Sequence, residues 1–127
     1  MPFVHRNEAI THQIHGVRFV AYANPGTGAE QVCAWRGEVP AGTAGVAHRV
    51  SHEEIVHVLS GRLRFQIDGE TADLDAGDVA IVPAGAQLKL DNVSDQAATT
   101  WVATSVGLSA TLADGSTLRP PWANVAE

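Results

Sequence analysis

The sequence predicts an all-β protein, and three observations carry that reading. Helical periodicity is nowhere sustained over ten or more residues, short apolar runs recur along almost the whole chain, and the runs are closed by Gly, Pro, Asn or Asp. The first predicted strand, Val17 to Ala23, is rich in β-branched and aromatic residues and stops at Asn24-Pro25-Gly26. The second, Gln31 to Val39, stops at Pro40. Glu54 to Leu59 and Leu63 to Ile67 alternate apolar and polar residues on either side of Ser60-Gly61, and Glu70 to Leu74 follows Asp68-Gly69. Val79 to Val82 lies between Gly77 and Pro83, Gln87 to Asp91 opens after Gly85, and Thr99 to Val106 closes at Gly107.

The 127 residues suffice for one domain, 1–127, with no repeat, linker or low-complexity tract. Residues 1–15 and 115–127 read as peripheral; in the tail, Pro120 and Pro121 lack the ladder donor a central strand needs. Fourteen acidic residues against eight basic ones, with Lys89 the single lysine, exclude the clustered positive charge that a nucleic acid requires. One cysteine, Cys33, cannot form an internal disulfide, and residues 1–20 hold no apolar run of signal-peptide or membrane-span length. The expectation is a cytoplasmic protein without membrane association.

Ser60-Gly61 and Asp68-Gly69 both read as two-residue hairpin turns, which fix register. The first predicts Val58 opposite Leu63, Val56 opposite Phe65 and Glu54 opposite Ile67. The second sets Asp73 against Arg64 and Asp75 against Arg62. One face then carries Val56, Val58, Leu63, Phe65 and Ile67, and the other carries His57 with the ion-paired charges. Glu54 falls in line with the apolar face. A carboxyl group there needs a partner, or its pKa is perturbed by burial, unless it reaches water at the strand's end.

Reading outward from Glu54 gives Gly42, five residues, His48, one residue, Val50, three residues, Glu54, six residues and Gly61; then Gly77, five residues, Pro83, one residue, Gly85, two residues, Leu88, three residues and Asn92. These spacings resemble the two motifs of the cupins, over residues 42–92. The resemblance implies a double-stranded β-helix, the jelly-roll barrel of RmlC-like proteins, and a homodimer packed through one sheet; Val79 to Val82, apolar on both faces, agrees with that pairing. In the family two histidines and a glutamate of the first motif and one histidine of the second hold a divalent metal inside the barrel. Here His48 and Glu54 stand at ligand positions, whereas Val50 and Leu88 stand where the other two histidines are expected. The resemblance thus implies the barrel, with a degenerate metal site.

His52, two residues before Glu54, faces the same way if the strand already runs there, and His48, His52 and Glu54 would then form a three-ligand open site for a divalent metal. An exposed turn residue is the plainer reading of His52. His48 and Glu54 could instead work without metal, the carboxylate orienting the imidazole as a general base. His57 reads as a surface or dimer-contact residue and Cys33 as packing. The N-terminal segment with His12 and His15 can pack on a partner subunit, while His5 lies in a frayed terminus. Trp35, Trp101 and Trp122 are candidates to line an apolar cavity, with core packing the plainer role for Trp35 and Trp101; Trp122 fits a closure of the barrel mouth or a subunit contact. The expected function is the binding of a small apolar or aromatic molecule in the barrel. The alternatives are a metal-dependent dioxygenase or isomerase using His48, His52 and Glu54, or an interaction protein with an empty barrel.

Overall fold

Strand-forming runs closed by turn residues become two sheets facing one another across a single core. In the computed structural model, which describes residues 2–124, the strands are β1 (Ile10–Ile14), β2 (Val17–Ala23), β3 (Val32–Val39), β4 (His48–Val50), β5 (Glu54–Ser60), β6 (Arg62–Ile67), β7 (Glu70–Asp75), β8 (Val79–Val82), β9 (Gln87–Asp91), β10 (Ala98–Ser105), β11 (Ala110–Leu112) and β12 (Thr117–Leu118). One six-stranded sheet runs β1-β2-β3-β10-β5-β8 and the other β12-β11-β4-β9-β6-β7, and the pairings within both are antiparallel. Sheets so layered bury the alternate residues of each strand, and β3 shows it, with Cys33, Trp35 and Val39 inside.

The turn at Asp68-Gly69 forms as the sequence predicts. Both residues take positive φ, 48° and 90°, the conformation whose twist suits a tight hairpin. Arg64 faces Asp73 with Nε donating to Oδ1 at 2.8 Å and Nη2 to Oδ2 at 3.1 Å, and Arg62 Nε donates to Asp75 Oδ1 at 2.7 Å.

The expected hairpin at Ser60-Gly61 does not form. β5 pairs with β10 and β8 in one sheet, while β6 pairs with β7 and β9 in the other, so the chain crosses between sheets there. Gly61 makes the crossing at φ 78°, and a Cβ on it would come within 2.8 Å of the Ala97 carbonyl and of Ala98. A Ser-Gly dipeptide signals a sharp reversal, but not whether its two arms stay partners. The faces are nonetheless as expected, because alternation belongs to each strand separately: Glu54, Val56, Val58, Leu63 and Phe65 are all buried.

Part of each terminal segment joins the fold, although residues 2–9 stay largely exposed. β1 forms the sheet edge on β2 through a turn at His15-Gly16, both with positive φ, and Ile14 packs on the core. In the tail, residues 115–117 and Arg119 are exposed, but Pro120, Trp122, Ala123 and Asn124 are buried. Trp122 is 6% exposed and Ala123 is sealed, and Asn124 Nδ2 donates to the carbonyls of Leu108 and Pro120, both at 3.0 Å. Residues 125–127 of the predicted tail lie outside the described residues.

Candidate functional site

The strongest site candidate is a cavity of about 160 Å³ between the two sheets. Its walls include Phe19, Trp35, Phe65, Leu88, Val102 and Trp122. The tail places Trp122 as a cover: its indole stacks on Phe19 with centroids 3.8 Å apart and planes 5° from parallel, and meets Trp35 edge-on at 6.5 Å. Asn24 Nδ2 holds the Trp122 carbonyl at 3.3 Å. Of the three tryptophans, Trp101 is elsewhere. It lies between the inward-facing Thr100 and Val102, so it faces outward and leans on Tyr22 with centroids 5.6 Å apart.

Four polar side chains reach the cavity wall: Glu54, His48, Thr100 and His15. Glu54 opens β5, next to Val82 and Thr104 on the neighbouring strands, and is 6% exposed. Among the described residues nothing hydrogen-bonds its carboxyl, yet no side-chain oxygen or nitrogen is both sealed and unpaired. Its oxygens therefore open onto the cavity. Burial pushes its pKa up to about 7, because water is removed and nothing on the protein compensates the charge.

His48 sits on β4 in the opposite sheet, paired with Leu88, and its Nδ1 lies 2.9 Å from the Val46 carbonyl. A carbonyl only accepts, so Nδ1 donates, and in the neutral ring Nε2 is left as an acceptor. The expected carboxylate–imidazole hydrogen bond is not formed; the backbone orients the ring instead.

His52 does not join them. β4 ends at Val50, and a bend at Ser51 and His52 precedes β5, so the two-residue parity with Glu54 does not apply. Its Nδ1 lies 2.6 Å from Ser51 Oγ, its ring lies beside the Gly107 turn, and it is not part of the cavity wall. No group of three or more His, Cys, Asp or Glu suited to a metal occurs among the described residues. The donor set His48, His52 and Glu54 is thus not assembled, and the residues present do not fit a divalent transition metal, which takes three or more protein ligands. Cys33 is sealed behind the wall, and burial pushes its thiol up to about 11, which suits packing rather than nucleophilic attack.

Residues 35–105 match the sequence profile of the Cupin domain family, more than half of the chain. The chain is a cupin. No curated protein matches this cupin in sequence, but solved structures do in shape. It resembles an RmlC-like cupin from Shewanella frigidimarina NCIMB 400, with a TM-score of 0.72 at 18% identity over 83% of this chain and 90% of that one. The polyketide cyclase RemF from Streptomyces resistomycificus gives 0.73 at 18% identity over 83% and 79%. A sugar phosphate isomerase of the cupin superfamily from Silicibacter pomeroyi DSS-3 gives 0.70 at 17% identity over 98% and 97%. At these identities the likeness establishes the fold.

Sequence reasoning about this cupin missed Phe19 and Thr100 as wall residues. Phe19 was legible as the inward member of a VRF alternation. Thr100 was not, because a strand threonine between two other polar or aromatic residues gives no face of its own.

Proposed function

We propose that this cupin binds a small, largely apolar organic molecule in its barrel, with Glu54 as the polar anchor. One observation carries the reading: a carboxyl more than nine-tenths buried opens onto an apolar cavity and has no partner among the described residues. A group so placed is satisfied by what enters the cavity. With Val50 and Leu88 at two positions where the family carries histidines, the pocket is drier than a metal centre. The polyketide cyclase and the sugar phosphate isomerase among its neighbours act on organic molecules by their names, which agrees with this use of the barrel. A phosphate is a poor fit here, since no Lys or Arg reaches the wall.

The test is a thermal-shift and tryptophan-fluorescence screen of one-ring fragments. A ligand that binds only the folded state raises its stability, and Trp35 and Trp122 report occupancy directly. Fragments should bind the native protein and lose their effect when Val102→Phe fills the space. A screen in which no fragment binds would leave the empty-barrel interaction protein as the better account.

An enzyme remains a second reading, favoured by the Glu54 pKa of about 7, which suits a general acid or base. Such chemistry would run without metal, since His48, His52 and Glu54 are not brought together; about one equivalent of metal in untagged protein, lost on His48→Ala, would overturn this reading.

The partner in this reading is a second copy in the cytoplasm. Ile55, Leu59, Val79 and Ile81 lie exposed on the outer face of β5 and β8, where Ile55 pairs with Ile81, and such a patch supports a homodimer through this sheet.

A further inference from the structure

The character of the cavity wall narrows the ligand class, on the premise that the cavity binds a small organic molecule. Its one acidic group is Glu54, and neither Lys nor Arg contributes to the wall to neutralise it. In the neutral form of His48, Nδ1 is committed to the Val46 carbonyl, so Nε2 accepts. The ionised carboxylate also only accepts. Thr100 is the remaining buried polar side chain of the wall, and it can serve either way. The other side-chain donors of the wall are the indole N–H groups of Trp35 and Trp122 and the ring of the exposed His15, and no Lys or Arg is among them, so the cavity is short of charged donors and of fixed positive charge.

Aromatic faces supply the rest of the argument. Phe19, Trp35, Phe65 and Trp122 line the same space; Phe19 and Trp122 cover one face of each other, and any ring face left open to the cavity attracts a cation more than a neutral group of equal size. The volume matches a single ring, since a cavity of about 150 Å³ lined by apolar side chains holds benzene. The chain's formal charge of -6 attracts cations and repels anions on approach.

We propose that the ligand is a small organic cation, an amine of about one ring whose ammonium group pairs with the Glu54 carboxylate while its hydrocarbon lies against the aromatic wall. An ammonium group is donor-only and positive, and so complements both deficits of the cavity. Once Glu54 is ionised, a carboxylate or phosphate ester of the same size would face it with like charge, and the cavity disfavours both.

Matched probes test this: benzylamine, benzyl alcohol, toluene and benzoate, titrated by calorimetry and tryptophan fluorescence in amine-free phosphate buffer at about pH 8, where Glu54 is ionised. Benzylamine should bind at least about tenfold more tightly than benzyl alcohol, a difference of about 1.4 kcal/mol, and benzoate should not bind. Glu54→Gln should weaken benzylamine by about tenfold or more and leave benzyl alcohol within about twofold. The comparison among probes on the native protein needs no variant, so a folding defect in Glu54→Gln would not obscure it. Benzyl alcohol or toluene binding as well as benzylamine would overturn the cation and leave the cavity reading standing. No binding by any of the probes would overturn both.

Discussion

Strands β5 and β6 follow one another with only Gly61 between them, yet they treat charge in opposite ways. β6 buries Leu63 and Phe65 and keeps Arg62 and Arg64 outside, each paired across the hairpin with an aspartate. β5 turns Glu54 inward without a partner among the described residues, and exposes Ile55 and Leu59. The consequences for the carboxyl groups are opposed as well. The Arg64 guanidinium bonded to Asp73 holds that carboxyl below its usual range, whereas burial lifts Glu54 to about 7. β6 follows the economy of a half-buried strand. β5 departs from it on both faces, and a departure that costs stability is where function is to be sought.

The largest expected effect concerns Glu54 itself. The unfolded chain releases this proton near 4.5, but the folded protein keeps it to about 7, so between those values the folded state holds more protons and loses stability as pH rises. The loss is complete above the folded value and amounts to about 3 kcal/mol for a gap of this size. Glu54→Gln removes the ionisation while keeping a similar shape. It should therefore exceed the native protein in stability by about 3 kcal/mol at pH 8 and match it near pH 4, as read by urea unfolding at several pH values. A difference that stays constant with pH would mean that the carboxyl ionises freely, and the contrast between the two strands would collapse.

How legible this contrast was in the sequence depends on the strand. Alternation at Val56, Val58, Leu63 and Phe65 gave both inner faces, and with them the inward turn of Glu54, because the period of two is local to each strand. The Arg62, Arg64, Asp73 and Asp75 set was legible because Asp68-Gly69 fixes a register over a few residues. The partnership of β5 with β10 was not, since a pairing across 39 to 50 positions leaves no local mark. His52 was misplaced for a related reason: its parity held only if a strand ran through 52, and a bend lies there. The aromatic cover was half legible: Trp122 after two prolines fits closure of the barrel mouth or a subunit contact, and only the fold, which stacks it on Phe19, decides between them.

The outer face of β5 gives the next effect. If the aliphatic side chains there seat a second copy, then Ile81→Glu, at a residue 61% exposed, should convert the dimer to monomer in light scattering at micromolar concentration. Val93→Glu, equally exposed at 58% but off the β5 and β8 face, should leave the mass unchanged. A monomeric native protein would remove assembly as the reason for these exposed residues and leave the departure of β5 confined to its inner face.

The smallest effect is expected on β6 and sharpens the comparison from its quiet side. Asp73→Asn breaks the bidentate contact with Arg64, but both partners stand in water, where solvent and salt screen the pair and side-chain ordering offsets much of its attraction. A double-mutant cycle with Arg64→Gln should return a coupling far below the Glu54 effect and shrinking with added salt. Its pH dependence has the opposite sign. With the folded pKa held below 3.8, the contribution of Asp73 is present at neutral pH and is lost only as acid reprotonates it. Across the window from 4.5 to about 7 it is flat, so a slope removed there by Glu54→Gln and untouched by Asp73→Asn belongs to the buried carboxyl.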